Sequence, residues 1–126
     1  MPGELPIVAN YRGMMTRAQQ FGFIDAARKR LLEWAQAQHI PMVHIEFVVP
    51  FVESDFSLAA WLFYDTDTSV AIHGADGVTA ALQDRFRATL RELGYPEQWI
   101  AKVDFVVDSR ENVVQNYEGS YFYRLR

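Results

Sequence analysis

The chain has 126 residues, and its content of 50% hydrophobic and 14% aromatic residues excludes an intrinsically disordered protein. It contains no cysteine, which excludes a disulfide scaffold, a thiol nucleophile and any cysteine-ligated zinc or iron–sulfur site. Its 12 basic and 16 acidic residues give a formal charge of −4, which argues against nucleic-acid binding because phosphate neutralisation needs clustered Lys and Arg.

The length predicts a single domain over residues 1–126 with a sizeable hydrophobic core. No apolar run approaches the roughly 20 residues that span a bilayer, and residues 1–8 lack the basic start of a secretion signal. The absence of cysteine is also compatible with a reducing compartment. We therefore expect a cytoplasmic protein that does not bind a membrane.

The first third of the chain predicts one long helix. Residues 1–10 contain two Pro and one Gly and predict an irregular start. Over residues 12–38, apolar side chains recur at three- and four-residue steps, as on the buried side of a helix. Gly22 weakens this helix by about 1 kcal/mol relative to Ala, which leaves a break there open, and Pro41 predicts its end.

Alternating side chains then predict an antiparallel meander. Residues 43–51 form its first strand, with His44 and Glu46 on the face opposite Ile45. Residues 58–65 form the second strand, and a turn leads to a short third strand over residues 69–73.

The second half predicts two further helices and two further strands. Residues 78–93 carry the apolar stripe of a long helix, which Gly94 ends. Residues 102–108 alternate like a strand, and Asp108 with Glu111 has the spacing of a capping box that opens a short helix. Residues 120–126 alternate again and predict a last strand.

The predicted order is therefore α-β-β-β-α-β-α-β. This order predicts an α+β domain with a single, mostly antiparallel sheet of about five strands and two long helices packed on it.

Charge is distributed unevenly along the chain. Residues 40–76 contain six acidic side chains and no Lys or Arg. Residues 1–39 have five basic against three acidic side chains, and residues 77–126 balance. The acidic middle segment is typical of a surface that attracts a basic partner, and equally of a solvated face with acidic turns.

Residue spacing gives no strong catalytic motif. The chain has no phosphate-binding glycine loop and no Gly-x-Ser-x-Gly nucleophile elbow. Residues 65–76 begin like a calcium loop, but Val70 stands where the sharp turn requires Gly, so we predict a turn. His44 and Glu46 share a strand face and, with His73, form the one candidate acid–base or metal cluster. We predict no catalytic residue, metal or cofactor.

Residues 108–124 read DSRENVVQNYEGSYFYR. This run resembles the ends of small bacterial proteins encoded beside polymorphic toxins, with a Ser-x-Glu-x-Val turn, Asn-Tyr-x-Gly and an aromatic triplet followed by a basic residue. The whole chain is similar to immunity proteins of contact-dependent growth inhibition in being short, acidic and poor in cysteine.

The resemblance implies a cytosolic, non-enzymatic protein that binds and neutralises the C-terminal toxin domain of a secreted effector. Many such toxins are nucleases with basic surfaces, which an acidic inhibitor would cover. From the charge map, the expected toxin-binding residues are Glu46, Glu53, Asp55, Asp65, Asp67, Asp76 and Asp104, with the aromatic side chains Trp61 and Tyr121.

Two alternatives remain. One is a small ligand-binding or homodimeric regulatory domain that uses the aromatic C-terminal strand as a pocket or interface. The other is a small enzyme built on His44, Glu46 and His73.

Overall fold

A three-stranded mixed sheet lies at the centre of the fold. The computed structural model describes residues 15–126, so the start predicted for residues 1–10 and positions 12–14 of the predicted helix lie outside the described residues, and the helix itself begins at Arg17. The strands are β1 (Met42–Val48), β2 (Ala59–Tyr64) and β3 (Asp104–Ser109). Strand β2 lies in the middle, antiparallel to β1 and parallel to β3.

Six helices accompany the sheet within residues 15–126. They are α1 (Arg17–Ala37), α2 (Asp67–Ala75), α3 (Val78–Leu93), α4 (Glu97–Ile100), α5 (Arg110–Asn116) and α6 (Tyr121–Leu125). In this part of the chain, none of the helices combines the length and the apolar composition that crossing a membrane requires.

Helices α1 and α3 pack on one side of the sheet, which we call the core face. On β2 this face carries Ala60, Leu62 and Tyr64, all fully buried. The Phe86 ring of α3 lies 5.7 Å from the ring of Phe47 on β1. Burial of these apolar side chains is the main stabilising term of the fold.

Helix α1 is continuous through Gly22, so no break occurs at this residue. The helix begins at a capping box in which the Thr16 side chain accepts from the Gln19 backbone and the Gln19 side chain accepts from the Thr16 backbone. Helix α3 has the predicted bounds, and Gly94 ends it in the left-handed conformation with φ of 101°.

The prediction of about five mostly antiparallel strands is wrong, because two of the predicted strands are helices. Residues 69–73 lie in α2, whose N-cap Thr66 accepts a hydrogen bond from the Ser69 backbone. Residues 121–125 form α6, which Ser120 caps in the same way. A capping side chain satisfies a free backbone N–H at the helix start, and this is a helix signal that the alternating pattern does not register.

The order of strands also differs from the meander. Strand β3 pairs in parallel with β2, and the intervening residues form the crossover that a parallel pair requires, here through α2, α3 and α4. The cap of α5 is Ser109, whose hydroxyl accepts from the Asn112 backbone, and not the predicted Asp108.

Candidate functional site

The side of the sheet opposite the core face carries polar and aromatic side chains, and we call it the second face. Register places nine residues on it in three rows. The rows are Val48, Ala59 and Asp104; Glu46, Trp61 and Val106; and His44, Phe63 and Asp108. The predicted site residues Glu46, Trp61 and Asp104 therefore share one surface.

Helix α6 covers the row that contains His44. The Tyr121 ring stacks on the His44 ring with centroids 3.9 Å apart, and it meets the Phe63 ring edge-on at 4.7 Å. Phe63 is fully buried beneath it. Burial raises the pKa of the Tyr121 hydroxyl. Tyr121 is therefore first of all a packing residue that holds α6 on the sheet.

His44 and Glu46 form a close pair beside this stack. His44 Nε2 lies 2.6 Å from Glu46 Oε2, and both side chains are about one-third exposed. The pair joins a hydrogen-bonding imidazole to a carboxylate on an accessible surface, as general acid–base chemistry needs.

His73 does not join that pair. It lies on α2, where its ring stacks on the Tyr64 ring at 5.4 Å and its Nδ1 lies 3.1 Å from Asp76 Oδ2. Tyr64 belongs to the core face, whereas His44 belongs to the second face. The three-residue cluster that the enzyme alternative requires is therefore not assembled. Residues 15–126 also contain no group of three His, Cys, Asp or Glu side chains that could hold a metal ion.

Arg124 fixes α6 to the middle of the second face. Its Nε donates to Asp108 Oδ2 at 2.5 Å, and its guanidinium lies 4.9 Å from the centre of the Trp61 ring. The Asp108 side chain is 13% exposed, and Asn112 donates to both of its oxygens. A carboxylate this buried requires such partners. Trp61 is thus half-buried under Arg124.

Three of the predicted acidic residues lie near the C-terminal ends of β2 and β3, a region that we call the carboxyl end. They are Asp65, Asp67 and Asp76. Asp67 Oδ1 accepts a 2.5 Å hydrogen bond from Ser109. A hydrogen bond from the Ser69 side chain is the main cause that lowers the pKa of Asp65, and one from the Val78 backbone does the same for Asp76. The Asp67 carboxylate thus joins α2 to the end of β3, whereas Asp65 and Asp76 bond to residues at the two ends of α2 and at the start of α3, so all three have a structural use.

Two further predicted residues, Glu53 and Asp55, lie in the 49–58 loop that joins β1 to β2. This loop and Asp104, which faces it at the start of β3, form what we call the loop end. The carboxyl end and the loop end are separated by the length of β2, about 20 Å. Five of the six acidic residues of the middle segment therefore form two groups at opposite ends of β2, and Glu46 lies between them on β1.

Arg17 of α1 holds the loop in shape. Its Nη2 donates to the carbonyl oxygens of Pro50 and Val52, both at 2.8 Å, and its Nη1 lies 3.4 Å from the Asp55 carbonyl. The Asp55 carboxylate accepts from the Ser57 backbone and hydroxyl at 3.0 and 2.7 Å. These two hydrogen bonds, first the one from the Ser57 hydroxyl, lower the pKa of Asp55.

A groove of about 260 Å³ continues from the loop onto the row of the second face that contains Val48, Ala59 and Asp104. Its lining residues are Val48, Val49, Pro50, Ser57, Leu58, Ala59 and Asp104. Beside it, Phe51 is fully exposed at 103% and Val52 at 62%. Apolar side chains, carboxylates and an open groove therefore meet at the loop end.

Comparisons of the chain with protein-family profiles, with curated proteins and with solved structures gave no match.

Sequence reasoning missed Phe51 at the loop end and Arg17, which holds the loop from α1. Alternation predicts Phe51 at the end of a strand, although Pro50 before it and the polar run 53–55 after it are signals for a loop. Arg17 lies 33 residues before Pro50, and no local pattern in the sequence connects the two.

Proposed function

We propose that this protein is an immunity protein that binds the basic C-terminal toxin domain, a nuclease in our proposal, of a contact-dependent inhibition effector and neutralises it. The observation that supports this best is the loop end. Exposed apolar side chains there border exposed carboxylates, in a stretch of chain that contains no Lys or Arg. This combination is typical of a protein interface with an apolar centre and a charged rim.

Electrostatic attraction is the first contribution of the acidic segment. Residues 40–76 carry six carboxylates and no Lys or Arg, although Arg17 and Lys102 from outside the segment offset part of the Asp55 charge. A predominantly negative field raises the association rate with a basic domain, and salt screens it over about 10 Å at 0.1 M. A nuclease surface that has evolved to bind phosphates offers the complementary charge.

The residues that carry the resemblance have a different task in the structure. Between positions 108 and 124, the side chains of Asp108, Tyr121 and Arg124 attach α5 and α6 to the second face. Their use in packing leaves the loop end, which α6 does not cover, as the surface that we assign to toxin binding.

The test is affinity purification of the tagged protein from its source cells in 50 mM salt, followed by mass spectrometry. We expect a basic C-terminal fragment of a large secreted protein in equal stoichiometry, released as salt rises to 500 mM. Recovery of the protein alone over repeated growth conditions would contradict the proposal and favour the ligand-binding alternative.

A further inference from the structure

The 49–58 loop presents two apolar side chains to solvent. Phe51 is fully exposed and its neighbour Val52 is 62% exposed, whereas Phe56 in the same loop is buried. Contiguous exposed apolar groups of this kind mark interaction sites more often than scattered single ones do. The loop is therefore divided into an anchored part and a projecting part.

The anchored part is fixed from below. The Phe56 carbonyl oxygen accepts from the Tyr95 hydroxyl at 2.7 Å and from Gln20 Nε2 at 3.2 Å, and all three groups are buried. The Phe56 ring meets the Trp99 ring edge-on with centroids 5.8 Å apart. This side of the loop belongs to the hydrophobic core.

The projecting part is fixed from the side. Arg17 binds the carbonyls on both sides of Phe51 and Val52, and the Asp55 backbone N–H closes a turn onto the Val52 carbonyl at 3.0 Å. A loop that is already ordered loses little conformational entropy when it binds. The structure thus fixes the backbone that carries Phe51, while the Phe51 side chain itself projects into solvent.

The charge around Phe51 and Val52 indicates what kind of partner surface fits them. Arg17 and Lys102 both offset part of the Asp55 charge. The exposed negative charge at the loop end therefore comes from Glu53, two residues after Phe51, and from Asp104 in the groove that Pro50 also lines. A partner surface complementary to this end has an apolar pocket with Lys or Arg side chains at its rim. An anionic lipid surface is disfavoured, because it would repel the same carboxylates.

We propose that Phe51 and Val52 form an insertion element that enters an apolar pocket, bordered by basic side chains, on the protein that this chain binds. The inference rests on the proposed function, in that the partner is taken to be the toxin domain. It goes further by naming the residues that enter the partner and the kind of pocket that receives them.

The first experiment measures the affinity of the purified partner for three forms of the protein by surface plasmon resonance. We expect Phe51→Ala to weaken binding about 30-fold, mainly through faster dissociation, because truncation of a central aromatic anchor has an effect of this size. The matched control is Phe122→Ala, which removes another exposed aromatic side chain, 65% exposed, from α6 at the far side of the second face. This control is expected to stay within threefold of the wild type.

A second experiment locates the contact even while the partner is unidentified. Photo-crosslinkable p-benzoylphenylalanine is placed at position 51 or, as control, at position 122, and source cells are irradiated. We expect an adduct with the partner at position 51 only, and the crosslinked peptide is expected to combine apolar residues with Lys or Arg. An adduct with lipid, with a second copy or within the same chain, or none at all, would overturn the inference. Binding of the wild type to phosphatidylcholine–phosphatidylglycerol vesicles that Phe51→Ala abolishes would overturn it too.

The two proposals fail separately. If a toxin domain is recovered but Phe51→Ala binds it within twofold of the wild type, the insertion element is wrong and the immunity function stands. If the partner that depends on Phe51 is a protein other than a toxin, the insertion element stands and the immunity function is wrong.

Discussion

Arg17 Nη2 donates a 2.8 Å hydrogen bond to the carbonyl oxygen of Pro50, which lies 33 residues further along the chain. The bond connects the first turn of α1 to the 49–58 loop. The same guanidinium also reaches the Val52 and Asp55 carbonyls. The shape of the proposed binding loop therefore depends on a side chain in another element of the fold.

Replacing Arg17 is the first prediction. Arg17→Ala leaves partly buried carbonyls without their donor, which costs about 1–3 kcal/mol in the free energy of unfolding. Arg17→Lys is expected to recover part of this loss, because one ammonium cannot reproduce the planar fork of a guanidinium. Urea unfolding measures the stability, and amide hydrogen exchange of residues 51–57 measures the order of the loop. Unchanged amide hydrogen exchange in Arg17→Ala would show that the loop keeps its shape without the hydrogen bonds from Arg17.

The second prediction concerns α6. Arg124→Ala removes the bond to the 13% exposed Asp108 and the contact with the Trp61 ring, so we expect a loss of about 1–3 kcal/mol and faster amide exchange in α6. Arg126→Ala is the matched control, since Arg126 is exposed and lies over the exposed Phe122 ring, and it is expected to stay within about 0.5 kcal/mol. Equal exchange in both variants would contradict the role assigned to Arg124.

The third prediction is a loss of stability at high pH. Burial raises the pKa of Tyr95 to about 12, against about 10 in an unfolded chain. The unfolded state thus loses its proton first, and the free energy of unfolding falls between pH 10 and 12, by at most about 1.4 kcal/mol per pH unit for this residue. Tyr95→Phe is expected to be less stable than the wild type at pH 8, because it removes the hydrogen bond to the Phe56 carbonyl. Above pH 10, however, its free energy of unfolding is expected to fall less than that of the wild type. Urea unfolding from pH 8 to 11.5 tests this, and equal slopes for both proteins would contradict it.

The fourth prediction tests the effect of surface charge on association, using exposed acidic residues instead of those that have a structural use. Reversal of Asp65 and Asp67 would disturb the contacts of α2 and β3, so it tests folding together with binding. Glu53→Lys with Asp104→Lys reverses two exposed charges at the loop end. We expect this pair to slow association with the captured partner about tenfold in 50 mM salt and far less in 500 mM salt.

The control for this charge reversal is Glu33→Lys with Glu92→Lys. It changes the net charge by the same amount at exposed positions on α1 and α3. A rate reduced equally by both pairs would assign the effect to net charge and remove the loop end from the interface.

Helical periodicity was the most informative signal in the sequence. The stripe over residues 78–93 and the following Gly94 predicted α3 correctly, because three- and four-step spacing, left-handed glycine and burial all agree there. The opposite faces of β1 also followed from alternation, with Ile45 buried and the His44 side chain about one-third exposed on the second face.

Alternation failed in the short C-terminal element. In residues 121–125 the partly buried side chains are Tyr121, Arg124 and Leu125, a helical spacing, but the same five residues also fit a strand pattern. Five residues are too few for the period alone to decide, and in the structure Ser120 caps the helix while Tyr121 and Arg124 contact the second face.

The pairing of the strands and the hydrogen bonds from Arg17 to the 49–58 loop depend on contacts between distant parts of the chain. A hydrophobic pattern gives the face of a strand but not its neighbour, so the parallel pairing of β2 with β3 was not predictable from it. The same holds for Arg17 and the loop. The acidic segment was visible in the sequence, but only the fold shows that five of its six carboxylates form two groups at opposite ends of β2, with Glu46 between them.

The most direct test of the proposed function is neutralisation in living cells. The C-terminal domain of the protein that co-purifies is expressed from an inducible promoter, with and without this protein. We predict arrested growth when the domain is expressed alone and normal growth when both are expressed, with protection weakened by Phe51→Ala. Growth arrest in both cultures, or no arrest in either, would contradict the account.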